Sequence, residues 1–320
     1  MVIAPKKINY LRLSITDRCN LRCIYCTPNC KYRFIPNDEM MNFEELAEAV
    51  NILSQKGIEF VRITGGEPLI RRNAEVLIKI LRKNSAIKEI SMTTNGILLR
   101  EKLSLLIQNG LNRLNMSLNT FKRNRYQRLT GEDKFDDAWA SLSQALSMPD
   151  FLLKINAVIL KGINDDEVED LATFTLPNKV SIRFIEYFPF NNDRSELKFV
   201  PNSIIRQKIE KKFGTLIPDK AKGNGPAESY KIKGAKGQIG FINTRTGNFC
   251  RECNRLRLTA EGKLYPCLFS PFSINLKKML RDGIDKKEIQ QRVDELIFKK
   301  GRYSKKKMKE KEVIMSNIGG

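Results

Sequence analysis

Short apolar runs alternate with amphipathic stretches along most of the chain. The runs cover residues 8–16, 59–64, 89–94, 111–118, 152–160 and 179–187, and each has the length and composition of a strand. Between them, 43–56, 74–83, 98–109 and 135–147 carry apolar residues at helical spacing. In the first, Phe43, Leu46, Ala47, Val50 and Leu53 share one face. Gly57, Asn84 and Gly110 stand where these helices stop. Six strand–helix units, repeating at roughly 30 residues, predict an α/β fold with a parallel sheet. Six units are too few for a closed eight-unit barrel and suit a partial (βα)6 TIM-like barrel, with its chemistry at the carboxyl ends of the strands.

The rhythm breaks near residue 190. A polar segment at 191–196 reads as a linker or long loop, and 220–226 is rich in Gly and Lys. Shorter strand-like runs follow at 229–233, 238–243 and 255–259, then two helical patterns. The expected organisation is a barrel core over 1–194 and an α+β extension over 195–320 that closes the open side.

Composition narrows the chemistry. None of the 320 residues is His. Ser-His-Asp and Cys-His nucleophile systems are therefore excluded, and no zinc site can recruit an imidazole. No apolar run reaches the roughly 18 residues of a membrane span, and the start lacks a signal-peptide core, so a cytoplasmic protein is expected. The formal net charge of +21 favours an anionic partner: nucleic acid, a membrane surface or a phosphorylated small molecule. Part of that charge sits in 299–312, with eight cations against two anions, and there a solvated basic stretch is the plainer reading.

Seven cysteines fall into two groups: Cys19, Cys23, Cys26 and Cys30, then Cys250, Cys253 and Cys267. Groups this tight in a cytosolic chain read as metal sites rather than disulfides. Cys19, Cys23 and Cys26 form C-x3-C-x2-C directly after the first strand, with Tyr25 before the last Cys. Structural zinc and electron-transfer iron–sulfur sites take four protein ligands. Three Cys leave one iron open. This arrangement resembles the radical S-adenosylmethionine superfamily, in which the open iron holds the amino and carboxylate groups of that cofactor. Cys30 is either a fourth ligand of a closed site or, as favoured here, a spare thiol. Gly65-Gly66-Glu67-Pro68, after the second strand, lets backbone approach a ligand and resembles the superfamily's methionine-binding loop. Ser117 and Asn119 end the fourth strand as candidate contacts to the cofactor, or as polar residues meeting solvent.

Cys250-x2-Cys253-x13-Cys267 again offers three Cys, and without His a second open cluster fits better than structural zinc. In Asn254-Arg255-Leu256-Arg257-Leu258-Thr259, strand alternation puts Arg255, Arg257 and Thr259 on one face. Two guanidiniums beside a cluster suit a triphosphate or a purine edge; the alternative is an edge strand with surface arginines.

Four segments then resemble the GTP 3′,8-cyclase family of molybdenum cofactor biosynthesis. They are Leu11-Arg12-Leu13-Ser14-Ile15-Thr16-Asp17-Arg18-Cys19-Asn20, Arg62-Ile63-Thr64-Gly65-Gly66-Glu67-Pro68-Leu69, Asn254 through Thr259, and Ile318-Gly319-Gly320. The resemblance implies a lyase with two [4Fe-4S] clusters and S-adenosyl-L-methionine. The cluster on Cys19, Cys23 and Cys26 would reductively cleave S-adenosylmethionine to a 5′-deoxyadenosyl radical. That radical would take hydrogen from C3′ of GTP, and the carbon radical would attack C8 of guanine. The cluster on Cys250, Cys253 and Cys267 would hold the guanine. GTP-binding positions fall on Arg12, Arg62, Thr93, Lys154, Arg255 and Arg257. S-adenosylmethionine positions fall on Tyr25, Gly66, Ser117 and Phe188. Phe188 and Thr27 stand where Met is usual, and Asn119 where many members carry Asp. The Gly319-Gly320 tail would reach into the active site. The implied partners are an external electron donor, a downstream cyclic pyranopterin monophosphate synthase and a second copy of the chain, with no nucleic acid and no membrane. The residues alone also admit another two-cluster radical enzyme, such as a peptide maturase, or a basic nucleic-acid-binding protein with zinc modules.

Overall fold

β1 (Tyr10–Ser14) turns Leu11 and Leu13, both fully buried, to one face and Tyr10 and Arg12 to the other. The computed structural model describes residues 7–26, 34–188, 197–220, 225–247 and 253–300. Thr27, Cys30, Cys250, Gly319, Gly320, the polar segment 191–196 and most of the basic stretch 299–312 lie outside them. β2 (Phe60–Thr64), β3 (Glu89–Thr94), β4 (Arg113–Ser117), β5 (Leu152–Ile159) and β6 (Val180–Glu186) follow β1 side by side, all parallel and in sequence order. With right-handed crossovers, sequential order puts the connecting helices on one side and curls the sheet toward a partial barrel.

The connecting helices are α1 (Phe43–Gln55), α2 (Ala74–Arg82), α3 (Leu103–Gln108), α4 (Arg123–Thr130), α5 (Phe135–Ser147) and α6 (Val168–Thr173). α1 opens on a capping box: Asn42 Oδ1 accepts from Glu45 N–H at 2.7 Å, and Glu45 Oε2 accepts from Asn42 N–H at 2.9 Å. Leu46, Val50 and Leu53 then join the apolar face of the sheet in one core. α3 is shorter than the 98–109 expected. Asn95 Oδ1 accepts from Ile97 N–H, and Leu99 and Lys102 close i→i+3 turns, so the loop after β3 consumes the start of the apolar pattern. α4 has no sequence signal beyond Tyr126 and Leu129, which are its buried anchors.

The remaining chain forms α7 (Asn202–Phe213), β7 (Ile217–Pro218), β8 (Glu228–Lys231), β9 (Gln238–Ile242), β10 (Arg255–Leu258), β11 (Lys263–Tyr265), β12 (Ile274–Asn275), α8 (Leu276–Arg281) and α9 (Lys286–Lys299). This extension prolongs the sheet at both edges. β10 pairs parallel with β1, and β9 pairs parallel with β6. Among the described residues the order is β12-β11-β10-β1-β2-β3-β4-β5-β6-β9-β8-β7, a mixed sheet not closed by hydrogen bonds. Arg255 and Arg257 therefore lie on a strand flanked on both sides rather than on an edge. α8 and α9 dock on α1 through Arg281–Glu45 at 2.6 Å, Lys286–Glu48 at 2.7 Å and Lys56–Asp294 at 2.6 Å. No described helix is long and apolar enough to cross a membrane.

Candidate active site

The face of the sheet turned away from the helices is polar, and its charge is nearly all positive. In register across β10, β1 and β2 stand Arg257, Arg12 and Arg62. β5 adds Lys154 beside Asn115 of β4, and β6 adds Arg183 beside Asn156 of β5. Arg113 on β4 is 1% exposed and pairs with Glu89 at 2.5 Å. Tyr10 lies between the Arg62 and Arg255 guanidiniums, 5.4 and 5.9 Å from its ring centroid. A cavity of about 300 Å³ opens on this face, and Arg12, Arg62, Arg183, Arg255 and Arg257 line it.

These cations are costly where they stand. Burial, then repulsion from Arg257, Arg62 and Arg255, holds the Arg12 guanidinium well below its ordinary range. Burial and Arg255 bring Arg257 down to about 10, and burial with Arg62 and Arg113 brings Arg183 to about 9. Lys154 falls to about 5, through burial first and then Arg183, Arg113 and Arg62. The buried Nε atoms of Arg12, Arg62 and Arg183 have no hydrogen-bond partner among the described residues, nor do Thr93 Oγ1 and Asn156 Oδ1. A polyanion placed here would offset the repulsion and accept from the arginine and threonine donors.

The cysteine loop sits at the carboxyl end of β1, held from two sides. Arg22 N–H and Ile24 N–H donate to Thr130 O (2.8 Å) and Leu129 O (3.0 Å) at the end of α4. On the other side the glycine loop packs directly against it. Gly66 N–H donates to Thr16 O at 2.9 Å and Glu67 N–H to Arg18 O at 2.8 Å. A Cβ on Gly66 would stand 2.2 Å from Arg18 O, and one on Gly65 would stand 2.4 Å from Thr16 O, so only glycine permits this approach. Glu67, 1% exposed, accepts from Leu69 N–H (3.1 Å), Thr94 Oγ1 (2.7 Å) and Asn95 N–H (2.7 Å). Burial nevertheless pushes its carboxyl up to about 7. Asn95 Nδ2 donates to Asn20 Oδ1 at 2.8 Å, closing a ring of three strand-end loops.

Cys19, Cys23 and Cys26 are half-buried thiols outside any disulfide, and all three line the cavity with Tyr25, Gly66, Thr93, Ser117 and Phe188. Burial raises the thiols of Cys19 and Cys23. Phe188 meets Phe269 of the extension with ring centroids 5.8 Å apart, and both line the cavity. Asn119 also lines it, but its side chain is engaged, accepting from Val158 N–H and donating to the Tyr25 hydroxyl. Lys154 is 2% exposed and lies deeper than the lining. Of the second group, Cys253 and Cys267 are half-buried free thiols. Lys300 Nζ stands 3.5 Å from Cys253 Sγ and donates to Arg255 O at 2.5 Å and Pro266 O at 2.6 Å. Lys300, then Arg255, lowers the Cys253 thiol against the opposing effect of burial. Among the described residues no three Cys, Asp or Glu side chains form a group arranged to hold a metal ion.

Sequence reasoning missed Arg183, Arg113 and Lys300. Strand alternation from the inward-facing Ser181 marks Arg183, and alternation toward Asn115 and Ser117 marks Arg113. Lys300 carried no signal, because it was one lysine of a basic stretch.

Residues 13–175 match the family model described as Radical SAM superfamily, and residues 180–306 match Molybdenum Cofactor Synthesis C. Curated relatives named GTP 3′,8-cyclase include those of Thermodesulfovibrio yellowstonii, 41% identical over 318 residues, and Desulforamulus reducens, 40% identical over 319 residues. In both cases 98% of each chain is covered. Among solved structures, Streptococcus suis SuiB bound to S-adenosylmethionine is similar with a TM-score of 0.65 at 15% identity, covering 89% of this chain and 68% of that one. Native anSMEcpe with bound AdoMet gives 0.60 at 14%, covering 97% and 87%. At such identities the structures speak to the fold, a radical S-adenosylmethionine partial barrel. The full-length sequence relatives decide the family: the chain is a radical S-adenosylmethionine enzyme, a group that uses an iron–sulfur cluster with that cofactor, and it belongs to the GTP 3′,8-cyclase family.

Proposed function

We propose that the chain cyclises GTP to (8S)-3′,8-cyclo-7,8-dihydroguanosine 5′-triphosphate in molybdenum cofactor biosynthesis, using two [4Fe-4S] clusters. The observation that carries this reading is one cavity whose wall holds five arginines and, at the carboxyl ends of the strands, three reduced cysteine thiols on one loop. A triphosphate and a radical source would meet in that space.

The donor sets fit the implied groups. Thiolates are the ligands of iron–sulfur clusters, and Cys19, Cys23 and Cys26 stand on one loop beside glycines that admit a ligand to the backbone. Cys253 and Cys267 are the described members of the second set, with Cys250, and Lys300 favours the thiolate at Cys253. When bound, the first cluster and S-adenosylmethionine supply a 5′-deoxyadenosyl radical able to take hydrogen from C3′ of the ribose.

The protein binds, orients and shields. Gly66 brings backbone to the methionine part of the cofactor, and Tyr25, Ser117 and Phe188 line its site. Glu67 keeps a carboxylate lone pair for the methionine ammonium beyond the three donors it already accepts. Arg12, Arg62, Thr93, Lys154, Arg255 and Arg257, joined by Arg183, hold the nucleotide. Ile242, Leu268 and Phe269 give the cavity apolar cover that limits water near a radical. Gly319 and Gly320, which lie outside the described residues, are assigned to the active site on the family resemblance alone. The barrel core over 1–194 carries the first cluster, and the extension over 195–320 carries the second. The enzyme works in the cytoplasm as a homodimer, takes electrons from an external donor and hands its product to cyclic pyranopterin monophosphate synthase.

Anaerobic reconstitution with iron and sulfide, followed by S-adenosylmethionine, a reductant and GTP, tests the reading. It expects 5′-deoxyadenosine together with a cyclised nucleotide. 5′-Deoxyadenosine without cyclised nucleotide rejects the substrate, and a protein that holds zinc and no iron rejects the chemistry.

A further inference from the structure

Tyr10 stands at the amino end of β1 and shares a face of the sheet with Arg12, two residues along. Its Cα partners are Arg255 on β10 and Phe60 on β2. Phe60 stacks on its ring at 13°, with centroids 6.4 Å apart. Arg62, two residues beyond Phe60 on β2, places its guanidinium carbon 5.4 Å from the Tyr10 ring centroid, and Arg255 places its own at 5.9 Å. Both distances lie within cation–π range. Tyr10 is 2% exposed and has no part in the cavity wall, whereas Arg62 and Arg255 line it. The ring therefore meets the two guanidiniums from behind that wall, and any effect it has on a bound nucleotide passes through them.

We propose that Tyr10 is a positioning residue for nucleotide binding, whose ring holds Arg62 and Arg255 ready at the cavity; the inference rests on the nucleotide site proposed above. An arginine side chain loses rotamer freedom when it binds an anion, and a surface that fixes it beforehand removes part of that cost. A carboxylate could fix the same arginines, but only by cancelling the charge that attracts a polyphosphate. The π face attracts a cation and leaves its charge in place. Arg62 belongs to the barrel core and Arg255 to the extension, on the two strands that flank β1. One ring thus sets the spacing between a cation of each part, and the Phe60 stack holds that ring in place.

The test is calorimetric titration of the reconstituted full-length protein with GTP, at a temperature where every variant is folded. Tyr10→Phe keeps the ring and Tyr10→Leu removes it. Tyr10→Phe is expected to bind GTP within about twofold of the parent, and Tyr10→Leu about 10-fold more weakly. S-Adenosylmethionine affinity is the internal control and is expected to stay the same in both. The loss caused by Tyr10→Leu is expected to shrink in an Arg255→Met background, where the ring has one cation fewer to hold. Parent-like GTP binding in Tyr10→Leu, equal weakening in Tyr10→Phe and Tyr10→Leu, equal loss of both ligands, or an undiminished loss in the Arg255→Met background each overturns the role of the ring. A parent that binds no GTP overturns the nucleotide site itself, and the inference with it.

Discussion

Arg12 and Arg257 are direct Cα partners on adjacent parallel strands, β1 and β10, so the barrel core and the extension meet at two like charges. Beside the cost of burial, Arg257 lowers the protonation of Arg12 and Arg255 that of Arg257, and Arg62 extends the row on the far side of Arg12. Such a seam is destabilising by itself and favourable around an anion.

Arg257→Met is accordingly expected to raise the melting temperature of the nucleotide-free protein while weakening GTP binding. The loss of one charge-assisted contact corresponds to about 10- to 100-fold in affinity. Calorimetric binding and a melt with and without GTP read both effects. A variant that is less stable without GTP and binds it normally contradicts the seam.

Glu67 gives the stability of the cofactor-free protein an unusual pH slope. Its folded carboxyl titrates near 7, above the ordinary value of 4.5, so the folded state holds a proton that the unfolded chain has released. The stabilisation is complete below about 4.5 and disappears as the pH rises through 7, a change of roughly 3 kcal/mol. Denaturant titrations across this range should show the decline in the parent and a flatter profile in Glu67→Gln. An identical slope in both proteins locates the effect elsewhere.

Lys300 ties three points of the second cysteine group: Cys253 Sγ, the carbonyl of Arg255 and the carbonyl before Cys267. Lys300→Met should lose most of the second cluster's iron, about half of the total, while Lys300→Arg retains more. The first cluster's spectrum should persist. Full iron content in Lys300→Met would remove the clamp from the account.

Gly66→Ala must displace the Arg18 carbonyl, and with it the junction between glycine loop and cysteine loop. A cost of about 1–3 kcal/mol is expected, with weaker S-adenosylmethionine binding. Gly162→Ala is the control. Its φ of +75° strains any other residue, but nothing lies within 4 Å of the added carbon. It should cost only about 1–2 kcal/mol and leave cofactor binding unchanged. Equal effects on cofactor binding in the two variants would discount the contact at Gly66.

What the sequence made legible was local. The runs that became β1 to β6 carry their own apolar pattern, and the cysteine loop, Gly65-Gly66 and the Arg255–Arg257 alternation are contiguous motifs. The pairing of β10 with β1 and of β9 with β6 joins distant segments and leaves no periodic trace, so the extension's place at both edges could not be read. Arg183 became a cavity residue only once β6 had neighbours on both sides. α4 escaped notice because two buried residues, Tyr126 and Leu129, do not outweigh five arginine, asparagine and glutamine positions around them. In the sequence Glu67 is one residue of the Gly65-Gly66-Glu67-Pro68 loop. Its role in joining three loops depends on partners contributed by β3.

The fate of the hydrogen at C3′ of GTP defines the reaction. GTP carrying deuterium at C3′, incubated anaerobically with reconstituted enzyme, S-adenosylmethionine and reductant, is predicted to yield 5′-deoxyadenosine that contains that deuterium, alongside a 3′,8-cyclised nucleotide. 5′-Deoxyadenosine without deuterium, with the label still on unreacted GTP, would contradict it.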